Sequence, residues 1–390
     1  MKIALFGGSF NPPHMGHVEA ARTVLEELKP DKLLIIPANI PPHKELAECS
    51  PTAQERLELT GLAFSELERT EVLDIELRRE GKSYTALTVE QLRCDYPDAE
   101  LMLVMGTDML LSFEEWYRFR YLLGELTLAV LARDDGEQQR IAEQAKHLED
   151  NYGARVIIVP HEPLPMSSTE IRELLSRRLG REYLTDEVYA RVVQKRYYDA
   201  QPELYWLREQ AYAMLAPKRV AHVAGCEAEA VKLAMHWGED PEEAATAGIL
   251  HDITKKLMLD EQLILCQKYG IINDTVQMQN LKLLHAKTGA AIARDRFGVS
   301  DRVYEAIRWH TTGKPDMNLL EKIIYMADYI EPTRDFDGVE KLRRLAYEDL
   351  DKAMELGLLM SLEDIRSYGV QPHIDTVRAY EWYREKNADT

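Results

Sequence analysis

The sequence predicts two folds in series: a doubly wound α/β domain with a parallel sheet over residues 1–200, then an all-α helical bundle over residues 203–390. Three observations carry this. Strand-like apolar runs alternate with helix-spaced patterns up to about residue 160, as in parallel strands joined by helices. Beyond Pro160 there is no convincing strand, and from about Glu203 helical patterns follow one another, as in Ala244-Ala245-Ala247-Ile249-Leu250 and Ile323-Ile324-Met326-Ala327. At 390 residues the chain also exceeds the size at which a single core keeps growing.

The strand candidates, in order, are Lys2–Phe6, Leu33–Ile36, Val72–Leu77, Leu101–Met105, Leu126–Leu131 and Val156–Val159. The first runs into Gly7-Gly8-Ser9-Phe10, a Pro12-Pro13 stop and His14-Met15-Gly16-His17. Helical spacing follows at Ala20, Ala21, Val24, Leu25 and Leu28. Two imidazoles thus stand at a strand-loop-helix junction, where backbone N–H groups and the helix dipole favour phosphate. Such a site suits stabilisation of charge on an α-phosphate under attack by another phosphate, mainly through positioning. Two surface histidines flanking a turn are the bland alternative, and the preceding strand with Gly-Gly-Ser-Phe argues against it.

Other pieces follow along the first half. Lys44 in Pro41-Pro42-His43-Lys44 is either a mobile charge for a triphosphate or a solvated loop lysine. Asp108 follows the Leu101–Met105 run and Gly106, where open α/β sheets bind ligands. Trp116, among Phe113, Tyr117 and Phe119, suits stacking on an aromatic ring or plain core packing. Ser167-Ser168-Thr169 precedes the helical pattern Ile171, Leu174, Leu175, so it can cap that helix and offer hydroxyls to phosphate, with Arg172 as a planar fork. The stretch Arg196–Pro202 is the expected seam, with Pro202 opening the next helix.

The second half holds His222, the adjacent pair His251-Asp252, His285, His310 and Asp328, most of them in apolar helical contexts. Charge on a buried face is costly unless it is paired or metal-bound. Adjacent His and Asp on one helix, closed by ligands from other helices of a bundle, suit a metal site. Imidazole and carboxylate without thiolate fit iron first, or manganese, better than structural zinc.

Net charge is −19, from 48 basic and 67 acidic side chains, which argues against nucleic acid or anionic membrane as a partner. Small nucleotides bind at local donors and stay open. Cys49, Cys94, Cys226 and Cys266 form no C-x-x-C pair, so neither a disulfide frame nor a cysteine-built zinc site is expected. No apolar run reaches membrane-spanning length, and Ile3–Phe6 is too short for a signal peptide, so the expected location is the cytoplasm. Assembly into a homo-oligomer leaves no trace in the sequence.

The N-terminal motif resembles the signature of the nucleotidyltransferase superfamily, and within it the bacterial nicotinate-nucleotide adenylyltransferases. Further matching pieces are Pro41-Pro42-His43-Lys44, Ser83-Tyr84-Thr85, Gly106-Thr107-Asp108, Trp116-Tyr117 and Ser167–Arg172. The resemblance implies a Rossmann-like domain that joins nicotinate mononucleotide to Mg2+-bound ATP. It places Thr85, Asp108 and Trp116 on the mononucleotide. His14 and His17 become catalytic, with Gly7, Gly8, Ser9, Phe10, Lys44, Ser168, Thr169 and Arg172 on ATP and its phosphates. A phosphopantetheine adenylyltransferase is the other small-molecule adenylyltransferase considered; it shares the His-x-Gly-His element but is not expected to carry Gly106-Thr107-Asp108 with Trp116.

The second half resembles the HD-domain phosphohydrolases through His251-Asp252, and the branch of symmetrically cleaving diadenosine tetraphosphatases through Ile249–Lys255, Trp309–Gly313 and Ala327–Pro332. That resemblance implies two divalent ions. His222, His251, Asp252 and Asp328 hold one, His285 and His310 the second, with Asp252 bridging as a catalytic ligand. Lys255 and Arg334 are its nucleotide-phosphate contacts, with a solvated charge as the alternative for each. The alternatives for this half are a (p)ppGpp hydrolase and a non-catalytic nucleotide sensor.

Overall fold

A computed structural model describes residues 1–41, 46–47, 50–132, 138–271 and 281–388. The chain divides into two compact units, Met1–Ala200 and Gln201–Thr390.

The first unit is a six-stranded, all-parallel sheet of order β3-β2-β1-β4-β5-β6, the doubly wound α/β fold the alternation predicts. Its strands are β1 (Lys2–Gly8), β2 (Lys32–Pro37), β3 (Thr70–Val72), β4 (Glu100–Gly106), β5 (Leu126–Ala132) and β6 (Arg155–Pro160). Leu5 of β1 pairs with Leu34 on one side and Leu103 on the other, and Leu103 pairs with Leu128. These central strands are buried on both faces, which is why they read as unbroken apolar runs. The strand order reverses between β1 and β4, so the crevice beyond their carboxyl ends is where this fold binds ligands.

One strand departs from expectation. The third covers Thr70–Val72 rather than Val72–Leu77, because Asp74 starts a turn: its carbonyl accepts from Leu77 N at 2.9 Å and Arg78 N at 3.2 Å. The helices that position the site are α1 (Met15–Glu27), α2 (Ala53–Phe64), α3 (Thr85–Asp95), α4 (Thr107–Leu111), α5 (Phe119–Glu125), α6 (Gln138–Tyr152), α7 (Ser168–Ser176) and α8 (Asp186–Lys195).

In the second unit no strand occurs among the described residues. Its helices are α9 (Leu204–Met214), α10 (Pro217–Trp237), α11 (Pro241–Leu250), α12 (Leu259–Lys268), α13 (Leu281–Phe297), α14 (Asp301–Trp309), α15 (Leu319–Ile330), α16 (Val339–Glu348), α17 (Leu350–Ser367) and α18 (Ile374–Ala388). Pro202 does not open α9, since Glu203 is its N-cap; the prolines that open helices are Pro217 and Pro241. Helix α11 is the hub, with Ala244 through Leu250 all buried. A Cβ on Gly248 would lie 2.8 Å from Glu227 Cα, so glycine there lets α10 and α11 meet backbone to backbone. Among the described residues no helix is long and apolar enough to cross a membrane.

Candidate active sites

The first site grows from the end of β1. Phe10 takes a left-handed backbone (φ 44°), and its ring is fully buried against Phe6, His17 and Phe64. Only its backbone therefore remains to meet a phosphate. A Cβ on Gly8 would sit 3.1 Å from the Phe10 ring, so the glycine makes room for that ring. His14 is the N-cap of α1, and its carbonyl accepts from His17 N at 2.8 Å. His17 Nδ1 in turn accepts from His14 N at 3.2 Å, and the two rings lie 3.8 Å apart. Gly16 makes room for the His14 ring, because a Cβ there would come within 3.1 Å of that ring and of Leu164 Cβ.

Two arginines secure this loop. Arg172, on the second turn of α7, donates to Asn11 O at 2.7 Å and to Thr169 Oγ1 at 3.0 Å. Ser168 and Thr169 form the first turn of that helix, which Ser167 caps by accepting from Glu170 N. Arg56 is fully buried and donates to Ser9 O at 2.7 Å and Asn39 O at 2.8 Å, tying the Gly8–Phe10 turn to the end of β2. Sequence reasoning missed it. The signal is a charge on the buried stripe Arg56, Leu59, Thr60, Ala63, Phe64 of α2.

Beyond the strand ends lies a cavity of about 330 Å³. Gly7, Gly8, Ser9, Thr85, Asp108 and Trp116 all line it, whereas His14, His17, Ser168, Thr169 and Arg172 do not. Lys44 lies outside the described residues. Trp116 packs on Phe113, ring centres 5.1 Å apart, and Tyr84 packs on Tyr117 at 4.8 Å with the rings tilted by 40°. Glu76 also lines the cavity and was not foreseen. It accepts from Thr88 Oγ1 at 2.7 Å, and burial pushes its carboxyl above the usual range despite hydrogen bonds from Thr88 and Ser83.

The second site gathers all six expected ligands. His251 and Asp252 do not share a helix: α11 stops at Leu250, His251 is its C-cap, and Asp252 lies in the following turn, its carbonyl accepting from Lys255 N. His310 likewise closes α14. Asp252 faces two ways. Its Oδ1 lies 3.1 Å from His285 Nε2 and 3.7 Å from His310 Nε2, and its Oδ2 lies 3.5 Å from His251 Nε2 and 3.8 Å from His222 Nε2. Asp328 Oδ1 is 3.0 Å from His222 Nε2. Two groups can hold an ion, His222-His251-Asp328 and His251-Asp252-His310.

The donors fit such ions. Nδ1–H of His251 donates to Gly248 O at 2.8 Å and that of His310 to Ile307 O at 2.7 Å, which aims each Nε2 into the cluster. Buried His251 Nε2 has no hydrogen-bond partner, an orphan that a cation would satisfy. Burial, reinforced by Lys255, pushes His285 down to about 3, and burial lowers His310, so both rings are neutral at neutral pH. Burial raises Asp252, but the surrounding imidazoles outweigh it and hold the carboxyl well below the usual range.

Basic side chains surround this cluster. Arg219 donates to Asp252 Oδ2 at 2.6 Å; it stands three residues before His222 on α10 and was not foreseen. Lys255 Nζ is 2.9 Å from His285 Nε2 and 3.5 Å from Asp252 Oδ1, so an ion bound to His285 requires this ammonium to swing aside. Arg334 donates to Asp328 Oδ1 at 2.6 Å. A groove of about 640 Å³ joins Lys255, His310, Asp328 and Arg334 to the aromatic pair Tyr329 and Phe336.

Residues 5–174 match the cytidylyltransferase-like family model. A probable nicotinate-nucleotide adenylyltransferase of Carboxydothermus hydrogenoformans is 35% identical over 198 residues, 50% of this chain and 98% of that protein. The chain belongs to the nicotinate-nucleotide adenylyltransferase family. A second such relative, from Exiguobacterium sibiricum, is 36% identical over 50% of this chain and 97% of its own length. Both span only about half of this chain, so the adenylyltransferase family accounts for half of its length. Residues 219–333 match the HD domain model and include all six candidate ligands, five of which fall in the two groups that could hold an ion. A solved structure from Clostridium acetobutylicum, described as a predicted HD superfamily hydrolase involved in NAD metabolism, is 36% identical; it covers 48% of this chain and 100% of that one, at a TM-score of 0.47.

Proposed function

We propose that the first unit adenylylates nicotinate mononucleotide with Mg2+-bound ATP, giving nicotinate adenine dinucleotide and pyrophosphate, and that the second hydrolyses diadenosine tetraphosphate to two ADP. The observation that carries the first reading is the cavity at the β1/β4 switch point, which collects Thr85, Asp108 and Trp116 beside the Gly7–Ser9 turn. The pyridine ring stacks on Trp116, and Thr85 with the backbone around Tyr84 donates to the nicotinate carboxylate. The mononucleotide phosphate then attacks the α-phosphorus of ATP. His14 and His17, at the N-terminus of α1, donate to oxygens that gain charge as pyrophosphate leaves. No covalent intermediate on the chain is needed.

In the second unit, divalent ions when bound supply an activated water and neutralise phosphate charge, with iron first and manganese second as the metal. The chain's own part is to hold His222, His251, Asp252, His285, His310 and Asp328 converged. Lys255 and Arg334 bind phosphates along the groove. Both reactions are tested on the purified chain with separation of products. ATP and nicotinate mononucleotide should yield nicotinate adenine dinucleotide, with kcat/KM well above that of the amide mononucleotide, since donors built for a carboxylate stay unpaired on the amide. Diadenosine tetraphosphate with Fe2+ or Mn2+ should yield ADP alone. Equal use of acid and amide removes the nicotinate assignment; inertness toward the tetraphosphate, with release of pyrophosphate from (p)ppGpp, replaces the second.

A further inference from the structure

Three imidazoles of the second site present Nε2 to the cluster while Nδ1–H is held elsewhere. For His251 and His310 the holder is a carbonyl in the last turn of the helix each closes, where carbonyls lack an intrahelical partner. His222 has no such carbonyl, because it sits inside α10, where amides four residues on engage them. Its Nδ1–H donates instead to Glu331 Oε1 at 2.9 Å, from a residue 109 positions away.

We propose that Glu331 is a positioning residue of the metal centre, its buried carboxylate locking His222 in the Nδ1–H form with Nε2 turned to Asp328 and Asp252. This rests on reading the second unit as a metal site. Glu331 is fully buried, Thr333 N donates to its Oε2 at 2.7 Å, and the Thr333 hydroxyl donates to Oε1, so both oxygens are aimed. Space for it is reserved on α10, where a Cβ on Gly225 would lie 2.5 Å from Glu331 Oε2. The end of α15 thus grips His222 from both sides, with Asp328 at Nε2 and Glu331 at Nδ1. A carboxylate on the far nitrogen orients a ligating imidazole and raises its basicity, and its loss typically costs about 10–100-fold in metal affinity.

The test uses the full chain, stripped with chelator and titrated with Mn2+ by calorimetry, together with nitrogen-15 histidine spectra of the stripped protein. Glu331→Ala should weaken Mn2+ binding about 10–100-fold and move His222 out of the pure Nδ1–H form. Glu331→Gln, which keeps volume and one acceptor, should lose less, and Gly225→Ala should reproduce the loss by displacing the carboxylate. The melting temperature of stripped Glu331→Gln should stay near that of the unaltered chain. Unchanged affinity and tautomer in Glu331→Ala overturn the proposal, as does a Glu331→Gln protein that loses stripped-state stability while binding Mn2+ normally. If the unaltered chain takes up no Mn2+, the metal-site reading falls and this inference with it.

Discussion

His17 Nδ1 accepts from the His14 backbone N–H, so a neutral ring carries its proton on Nε2. The capping geometry of α1 thereby prepares a donor for an oxyanion. His17→Ala should lower kcat for dinucleotide synthesis by about 10²–10³ and change the KM for ATP far less, as steady-state kinetics will show. Near-normal turnover would remove His17 from the chemistry. Glu76 offers a second test at this scale. Burial raises its carboxyl pKa above the reference of 4.5, so the folded state favours the protonated form. Its stabilising contribution is complete below the unfolded pKa and is lost as pH rises through the raised folded value. Glu76→Gln, neutral throughout, should therefore gain thermal stability relative to the unaltered chain as pH rises from acid to neutral. Parallel melting-temperature curves would contradict the burial argument.

At the scale of elements, the candidate ligands sit inside helices or where helices end. Three elements and two helix-closing turns bring them together: His222 inside α10, His285 on α13, Asp328 on α15, His251-Asp252 after α11 and His310 after α14. Periodicity shows helices but not the residue at which each stops, which is why His251-Asp252 read as helical and lies instead in a cap and a turn. The β3 shift has the same origin: Val72–Leu77 alternates like a strand, but Asp74 prefers to turn the chain. Because Asp252 turns one oxygen to each half of the cluster, Asp252→Ala should abolish both metal retention and hydrolysis. His310→Ala should keep about one ion per chain where the unaltered protein holds about two, by elemental analysis, with hydrolysis badly impaired. A His310→Ala protein with both ions and full activity would dissolve the two-ion reading.

For the molecule as a whole, the alternation of periods, the glycine-rich turn after β1 and the six scattered His and Asp residues made both folds and both clusters legible in the sequence. Residues that act through others were not legible. Arg56, Arg219 and Glu76 belong to no motif, Glu331 stands in the Ala327–Pro332 stretch without a role of its own, and the meaning of all four comes from partners that folding alone brings near. The choice of nicotinate was visible only by resemblance, because Thr85, Asp108 and Trp116 are ordinary residues until a cavity unites them.

The convergence of ligands from five separated segments has a consequence unrelated to turnover. An ion bound there would be a removable crosslink, joining stretches of chain as far apart in the sequence as His222 and Asp328. Mass action at one hundred times Kd adds about 2.7 kcal/mol to the folded state. Loss of the ion should therefore open the second unit to proteases as well as silence its hydrolysis, which limited proteolysis with and without chelator will show.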